Sequence, residues 1–309
     1  MHPIYSDFHP KLKRRVNAML ELHNVVKTYN KTVTAVDDVS MQLSSGVLGL
    51  IGHNGAGKTS LMQMIATLTK PTSGQILFDG IDIAKKPNAI RQRLGFLPQD
   101  FGVYPNLSAL EFLQYFAALK GVRDPSGSRI RQLLEMVNLH EHAHRYASTF
   151  SGGMRRRLGI AQALLNDPDI LIVDEPTAGL DPEERLRFRQ LLSEIGFKKL
   201  VILSTHIVSD IENMASHLAI MRKGKLIAYD TPDSFVKHGR GHIWSATVNT
   251  QEYELLSKRV QVLQVQRHES QIHLRIAHPH SPCNGALVAE PSLEEALMAQ
   301  QYAIQELAA

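Results

Sequence analysis

Residues 52–59 read GHNGAGKT and fit the pattern G-x-x-x-x-G-K-[ST]. The five residues before them, VLGLI, are short and uniformly apolar, and the run after them is helix-like. Strand, glycine-rich turn and helix start in that order make a phosphate cradle. Glycines let backbone N–H groups close around phosphate oxygens. Lys58 can neutralise phosphate charge, and the Thr59 hydroxyl can hold Mg²⁺. Such a loop requires a buried strand that ends among other strand ends, so it constrains the whole chain to an α/β design.

Further along, 170–173 (ILIV, after Pro168) and 200–203 (LVIL) are again short apolar runs. They suit strands buried on both faces of a parallel sheet. Helical patterns over 59–68, 153–165 and 183–195 separate them. Residues 20–43 alternate and are rich in Val and Thr, which predicts strands at a sheet edge. Between about 100 and 150 the pattern is helical without strands (SALEFLQYFAALKG, RIRQLLEMVNL), a helical insertion beside the sheet. Residues 218–229 predict a hairpin turning at Lys223 and Gly224. After Pro232 the pattern changes to strands HIWSATVN, VLQVQRH and QIHLRIA with helices QEYELLSK and SLEEALMAQQYAIQEL. This predicts a small α+β domain over 233–309, entered by a linker near 233–241. Residues 1–18 read as a polar extension, so the main domain spans 19–232.

A length of 309 residues agrees with about two domains. The net charge of +4 is mild, and no long basic tract or aromatic-basic stripe invites nucleic acid. One cysteine, Cys283, leaves no disulfide framework within the chain, which points to a reducing compartment. No apolar run approaches the ~20 residues that span a bilayer. The cluster Lys11, Lys13, Arg14, Arg15 is followed by a stretch broken by Asn17, Glu21, His23 and Asn24, which is no signal-peptide core. A cytoplasmic protein is expected, with any membrane role needing a partner chain. The histidines of HEHAH and HPHSPC lack closed-site spacing and read as surface loops.

ILIVDEP supplies a second chemical element. Asp174 at the tip of a buried strand suits Mg²⁺ held through water, and Glu175 beside it can act as general base on an attacking water. These parts allow a kinase, a GTPase or an ATPase. No N-K-x-D guanine-reading motif is present, since NKTV at 30–33 lacks the acid. A second helix start, TFSGGMRRR at 149–157, has the composition of an anion site of its own.

The ordered set of 52–59, Gln99 in FLPQD, SGG at 151–153, 170–175, 178–181 and STH at 204–206 resembles the ATP-binding-cassette (ABC) ATPases over about residues 20–232. The resemblance implies a P-loop ATPase core with an antiparallel β subdomain and a helical subdomain at about 100–160. It implies ATP and Mg²⁺ as cofactors. Asn54, Gly55, Gly57, Lys58, Thr59 and Ser60 would bind the nucleotide, with Tyr29 of VVKTYN stacked on adenine. Thr59, Gln99 and Asp174 would hold the metal, and Glu175, His206 and Gln99 would serve hydrolysis. In this family two units pair head to tail, so Ser151, Gly152 and Gly153 would meet the γ-phosphate held by a partner. Asp181 would communicate across that dimer while capping the helix before Pro182.

Two positions depart from the family pattern: Phe150 replaces Leu and Met154 replaces Gln. The first repacks; the second loses the polar contacts that Gln makes. Arg155, Arg156 and Arg157 read as a solvated or phosphate-proximal helix face. In EFLQYFAAL the Phe and Leu read first as core. The expected function is the ATPase subunit of a transporter whose permease is a separate chain. Similarity to bacterial exporter ATPases with a short C-terminal extension implies export, and a homodimer on the inner face of the membrane. Two other readings are a soluble ABC ATPase of repair or translation type, and a low-turnover regulatory half.

Overall fold

The computed structural model describes residues 19–124, 126–269 and 271–306. The predicted extension at 1–18 lies outside them. The chain forms two compact units, the first ending at Tyr229 and the second opening at Asp230.

The first unit opens with an antiparallel pair, β1 (Leu20–Tyr29) and β2 (Val33–Leu43). Next come β3 (Gly46–Ile51), α1 (Lys58–Ile65), β4 (Ser73–Phe78), β5 (Ile81–Asp82), α2 (Pro87–Arg91) and β6 (Leu94–Leu97). Helices α3 (Ala109–Leu119), α4 (Ser128–Met136) and α5 (Gly152–Ala163) follow. The unit closes with β7 (Ile170–Asp174), α6 (Pro182–Gly196), β8 (Leu200–Thr205), β9 (His217–Arg222) and β10 (Lys225–Asp230).

These strands make two sheets. One runs β2-β1-β4-β5 and is antiparallel in its ladders. The other runs β10-β9-β3-β8-β7-β6, with β9, β3, β8, β7 and β6 mutually parallel. Every residue of β7 and β8 is buried, and only Gly46 of β3 is partly exposed. That is why these segments are apolar throughout rather than alternating. Residues 20–43, expected at a sheet edge, supply β2 at the edge of the first sheet and β1 in its interior, paired with β4. The family resemblance anticipated that sheet and the helical stretch. Strands β4, β5 and β6 were not read from sequence. Strand β6 carries Gly95 because the Ala163 carbonyl of α5 lies 2.5 Å from where a Cβ would stand.

Helix α3 starts at a full capping box. The Ser108 hydroxyl accepts from the Glu111 amide, and the Glu111 carboxylate accepts from the Ser108 amide. Phe112 and Leu113 are buried, while Tyr115 and Leu119 are exposed. The hairpin turn falls at Lys223 and Gly224 as expected, both at positive φ (47° and 83°).

The second unit holds α7 (Pro232–Gly239), β11 (Ile243–Val248), α8 (Thr250–Leu256), β12 (Gln261–His268), β13 (Gln271–Ala277), β14 (Leu287–Val288) and α9 (Leu293–Glu306). Its antiparallel sheet runs β12-β13-β11-β14. Ala246, Val248, Ile272, Leu274 and Ile276 pack with Leu256 of α8. A bidentate pair joins Arg275 to Glu295, at 2.6 and 2.7 Å. The expected linker at 233–241 is mostly helix. Thr231 accepts from the Ser234 amide as N-cap and Pro232 occupies the first turn, so a pair that reads as chain punctuation is a helix start. No helix among the described residues is long and apolar enough to cross a membrane.

One lysine ties two helices of the first unit together. Lys120 Nζ, at the end of α3, donates to the Gln162 carbonyl (2.9 Å) and Asn166 Oδ1 (3.3 Å) at the end of α5. Burial pushes its ammonium down to about 8, against 10.5 ordinarily. Across that interval the unfolded chain holds more protons than the folded one, so this group makes stability rise with pH. The stability advantage of wild type over Lys120→Met should therefore grow between about pH 8 and 10 in urea unfolding. A flat or shrinking difference contradicts it.

Candidate active site

Parallel neighbours put their loops on one side. Strands β3, β8, β7 and β6 lie next to one another in that order. Their carboxyl ends are followed by the loop 52–57, by His206, by Glu175 and by Gln99. Four separate sequence segments thus meet at one edge, as open α/β sheets require.

The loop after β3 is shaped by backbone. Gly57 sits at φ 100°, and a Cβ there would fall 2.2 Å from the Ala35 carbonyl oxygen. Only glycine fits that turn. Lys58, at the first position of α1, is 5% exposed. Its ammonium donates to the Gly52 carbonyl (2.6 Å) and the His53 carbonyl (3.2 Å), and stands 4.0 Å from Glu175 Oε1. Burial lowers its pKa below the ordinary lysine value, while Glu175 and Asp174 oppose the shift. Thr59 and Ser60 follow in the same helix, and the Tyr29 hydroxyl lies 3.4 Å from Ser60 Oγ. The Lys27 ammonium lies 5.0 Å from the centre of the Tyr29 ring. Asn54 and Gly55 are exposed at the loop tip.

At the end of β7, Asp174 is 3% exposed. It pairs in register with Ser204 of β8. The Ser204 hydroxyl donates to Asp174 Oδ1 (2.5 Å) and accepts from the Glu175 amide (2.9 Å). Glu175 itself adopts a left-handed backbone, φ 44°. For a residue with a Cβ this conformation costs about 1–2 kcal/mol, so the surrounding contacts must hold it. Around its carboxylate stand Gln99 Nε2 (3.3 Å), His206 Nδ1 (3.4 Å) and Lys58 Nζ. The structure thus brings together Lys58, Gln99, Asp174, Glu175 and His206 from four loops. Thr59, Asp174 and Gln99 offer a hydroxyl, a carboxylate and an amide carbonyl. This hard-oxygen set matches the chemistry of Mg²⁺.

The second helix start is elsewhere on the surface of the same unit. The Ser151 hydroxyl caps α5 by accepting from the Met154 amide (3.1 Å). Ser151 and Gly152 are exposed, and Gly153 is buried. A Cβ on Gly153 would meet Glu184 Oε2 at 2.7 Å. Phe150 is buried, in keeping with a repacked position. Asp181 caps α6, accepting from the Glu184 amide (2.8 Å).

The arginine run is not one solvated face. Arg155 is exposed, but Arg157 is 6% exposed and donates to the Val137 and Asn138 carbonyls and to Glu184 Oε1 (3.0, 3.1 and 3.1 Å). Arg156 is half-buried, and its Nη1 donates to the Glu175 carbonyl (2.5 Å). Helical periodicity accounts for the difference: successive arginines point in three directions about α5. Ser204, within the motif STH, is a further residue of the site that sequence reasoning misses. Its signal was its place at the end of an apolar strand facing Asp174. Another missed contact is buried, Thr177 Oγ1 donating to Asp210 Oδ2 (2.5 Å).

Removing the Ser204 hydroxyl leaves the Glu175 amide and one Asp174 oxygen without their partner. Ser204→Ala should lower unfolding free energy by about 1–3 kcal/mol, read by urea titration. A change within measurement error would show that the junction is not held by this group.

Comparison with known proteins supplies the family. The ABC transporter family model matches residues 36–178. The chain is 38% identical over 224 residues to the Nod factor export ATP-binding protein I of Cupriavidus metallidurans, covering 72% of this chain and 74% of that protein. It is 38% identical over 201 residues to the ABC transporter ATP-binding protein NatA of Bacillus subtilis, covering 64% and 82%. Among solved structures, a dimeric post-hydrolysis state of the ATP-binding cassette MJ0796 bound to ADP and Pi is similar. It has a TM-score of 0.63 and 28% identity, over 69% of this chain and 98% of that one. The chain therefore belongs to the ABC transporter family, as an ATP-binding protein with ATPase activity.

Proposed function

We propose that two copies of this chain pair head to tail around ATP and that this closure, undone by hydrolysis, drives a separate membrane permease in the direction of export. The observation that carries the reading is the pair of helix starts within one unit. One buries Lys58 against Glu175; the other leaves Ser151 and Gly152 open to solvent. A single chain then grips one nucleotide and presents a second anion-binding end to another. The dimeric state of MJ0796 and the export named for the Cupriavidus relative support the reading.

In this arrangement Lys58, Ser60 and the amides around Asn54, Gly55 and Gly57 hold the phosphates. Tyr29 stacks on adenine. Thr59, Gln99 and, through water, Asp174 would hold Mg²⁺, which would supply charge neutralisation at the phosphates. Glu175 takes the proton of the attacking water, and His206 orients both Glu175 and the water. Gln99 reports the state of the site to the helical segment that follows it. Ser151, Gly152 and Gly153 hold the partner's γ-phosphate through a hydroxyl, open amides and the helix dipole. ADP lacks that phosphate, so the pair loosens after hydrolysis. Asp181, near the same surface, carries communication across the dimer. The chain works on the cytoplasmic face of a membrane as a peripheral subunit, and the permease reads the transported molecule.

Glu175→Gln keeps shape and removes the base. Turnover should fall by about 10² or more. With Mg-ATP the variant should run at twice the monomer mass in light scattering after size exclusion. A strictly monomeric Mg-ATP complex would sink the pairing, and unchanged turnover would remove Glu175 from the chemistry.

A further inference from the structure

The carboxylate of Glu175 has only long contacts, 3.3 Å to Gln99, 3.4 Å to His206 and 4.0 Å to Lys58. Its backbone is held far more closely. The amide is fixed by Ser204 at 2.9 Å and the carbonyl by the Arg156 guanidinium at 2.5 Å. Between those two anchors lies the left-handed φ of 44°. Where the carboxylate points is therefore set by the peptide groups on either side of it. The Ala178 amide also approaches the same carbonyl, at 3.4 Å, which is a weak contact beside the charged donor.

We propose that Arg156 is a positioning residue for hydrolysis, holding the strained Glu175 turn from α5 so that the carboxylate meets the attacking water. The inference rests on the reading of Glu175 as general base. Arg156 belongs to α5, the helix that begins with the serine offered to a partner's nucleotide. One helix thus carries both that contact and the brace on the base of its own chain. Burial lowers the Arg156 pKa, opposed by Glu175 and Asp100, in keeping with a guanidinium enclosed among acceptors. Its side chain borders a cavity of about 570 Å³ that Gln99, Asp100, Arg155, Gly152 and Gly179 also line. Cutting the arginine back would extend this cavity toward the Glu175 carbonyl that its guanidinium now covers.

The test compares ATP turnover and nucleotide affinity, the latter with a fluorescent ATP analogue, in Arg156→Ala, Arg156→Met, Arg156→Lys and Glu175→Gln. Losing a brace on a reacting group should lower kcat of Arg156→Ala by about 10–100-fold, with affinity for the analogue within about twofold. Arg156→Lys, which keeps a charged donor, should retain more. Guanidinium ion at tens of millimolar should restore part of the turnover of Arg156→Ala and none of Glu175→Gln. If Arg156→Ala does not fold, Arg156→Met keeps the bulk and carries the same expectation. Full kcat in either, or a loss shared by affinity and kcat with no rescue, overturns the proposal. A dead Glu175→Gln beside a fully active Arg156→Ala removes this inference alone. A fully active Glu175→Gln removes the general base and the brace together.

Discussion

One hydroxyl governs the arrangement of the acidic pair. Ser204 is wholly buried between two parallel strands, and its single oxygen serves both carboxylate-bearing residues opposite. It satisfies an oxygen of Asp174, which at that depth would otherwise lack a partner. It also takes the amide of Glu175 just where the chain turns left-handed. That junction fixes the buried Asp174 carboxylate and the left-handed turn at Glu175 relative to each other. The register that pairs Asp174 with Ser204 is thus as much part of the site as the acids.

That register follows from burial. Strands β7 and β8 bury every residue and lie side by side, so a slip of one residue would reverse which side chains face which neighbour. The apolar runs exist because both faces are covered, and the polar residues appear only where the strands end. Asp174, Glu175 and His206 then sit at or just past the ends of rigid strands, which limits their freedom more than a loop could. Lys58 illustrates the same economy. The loop bends so tightly at Gly57 that its own carbonyls come within reach of the ammonium.

Much of this was legible from residue order. The phosphate loop, the buried strands, the acidic pair and the hairpin at Lys223 and Gly224 all depend on local rules that short segments obey. What escaped reading depends on direction in space. Three adjacent arginines look alike in a string, yet one is exposed, one braces Glu175 and one is enclosed with Glu184. Strand β6 contains a glycine, which weakens a strand pattern, and only the approach of α5 explains it. Thr231 and Pro232 carry the same two letters whether a chain is breaking or a helix is starting. The hydrogen bond to Ser234 decides between them, and it is not visible in sequence.

Helix α5 has no room for a side chain at its second residue, because Glu184 of α6 fills that space. Glu184 in turn clasps Arg157, which reaches the chain just past α4 through the Val137 and Asn138 carbonyls. Three helices are therefore bolted through one buried charge pair. Helices α4, α5 and α6 thus share one anchor, and it lies directly beside the exposed start of α5 at Ser151 and the capped start of α6 at Asp181. A side chain larger than glycine at residue 153 would therefore strain the anchor of all three helices at once.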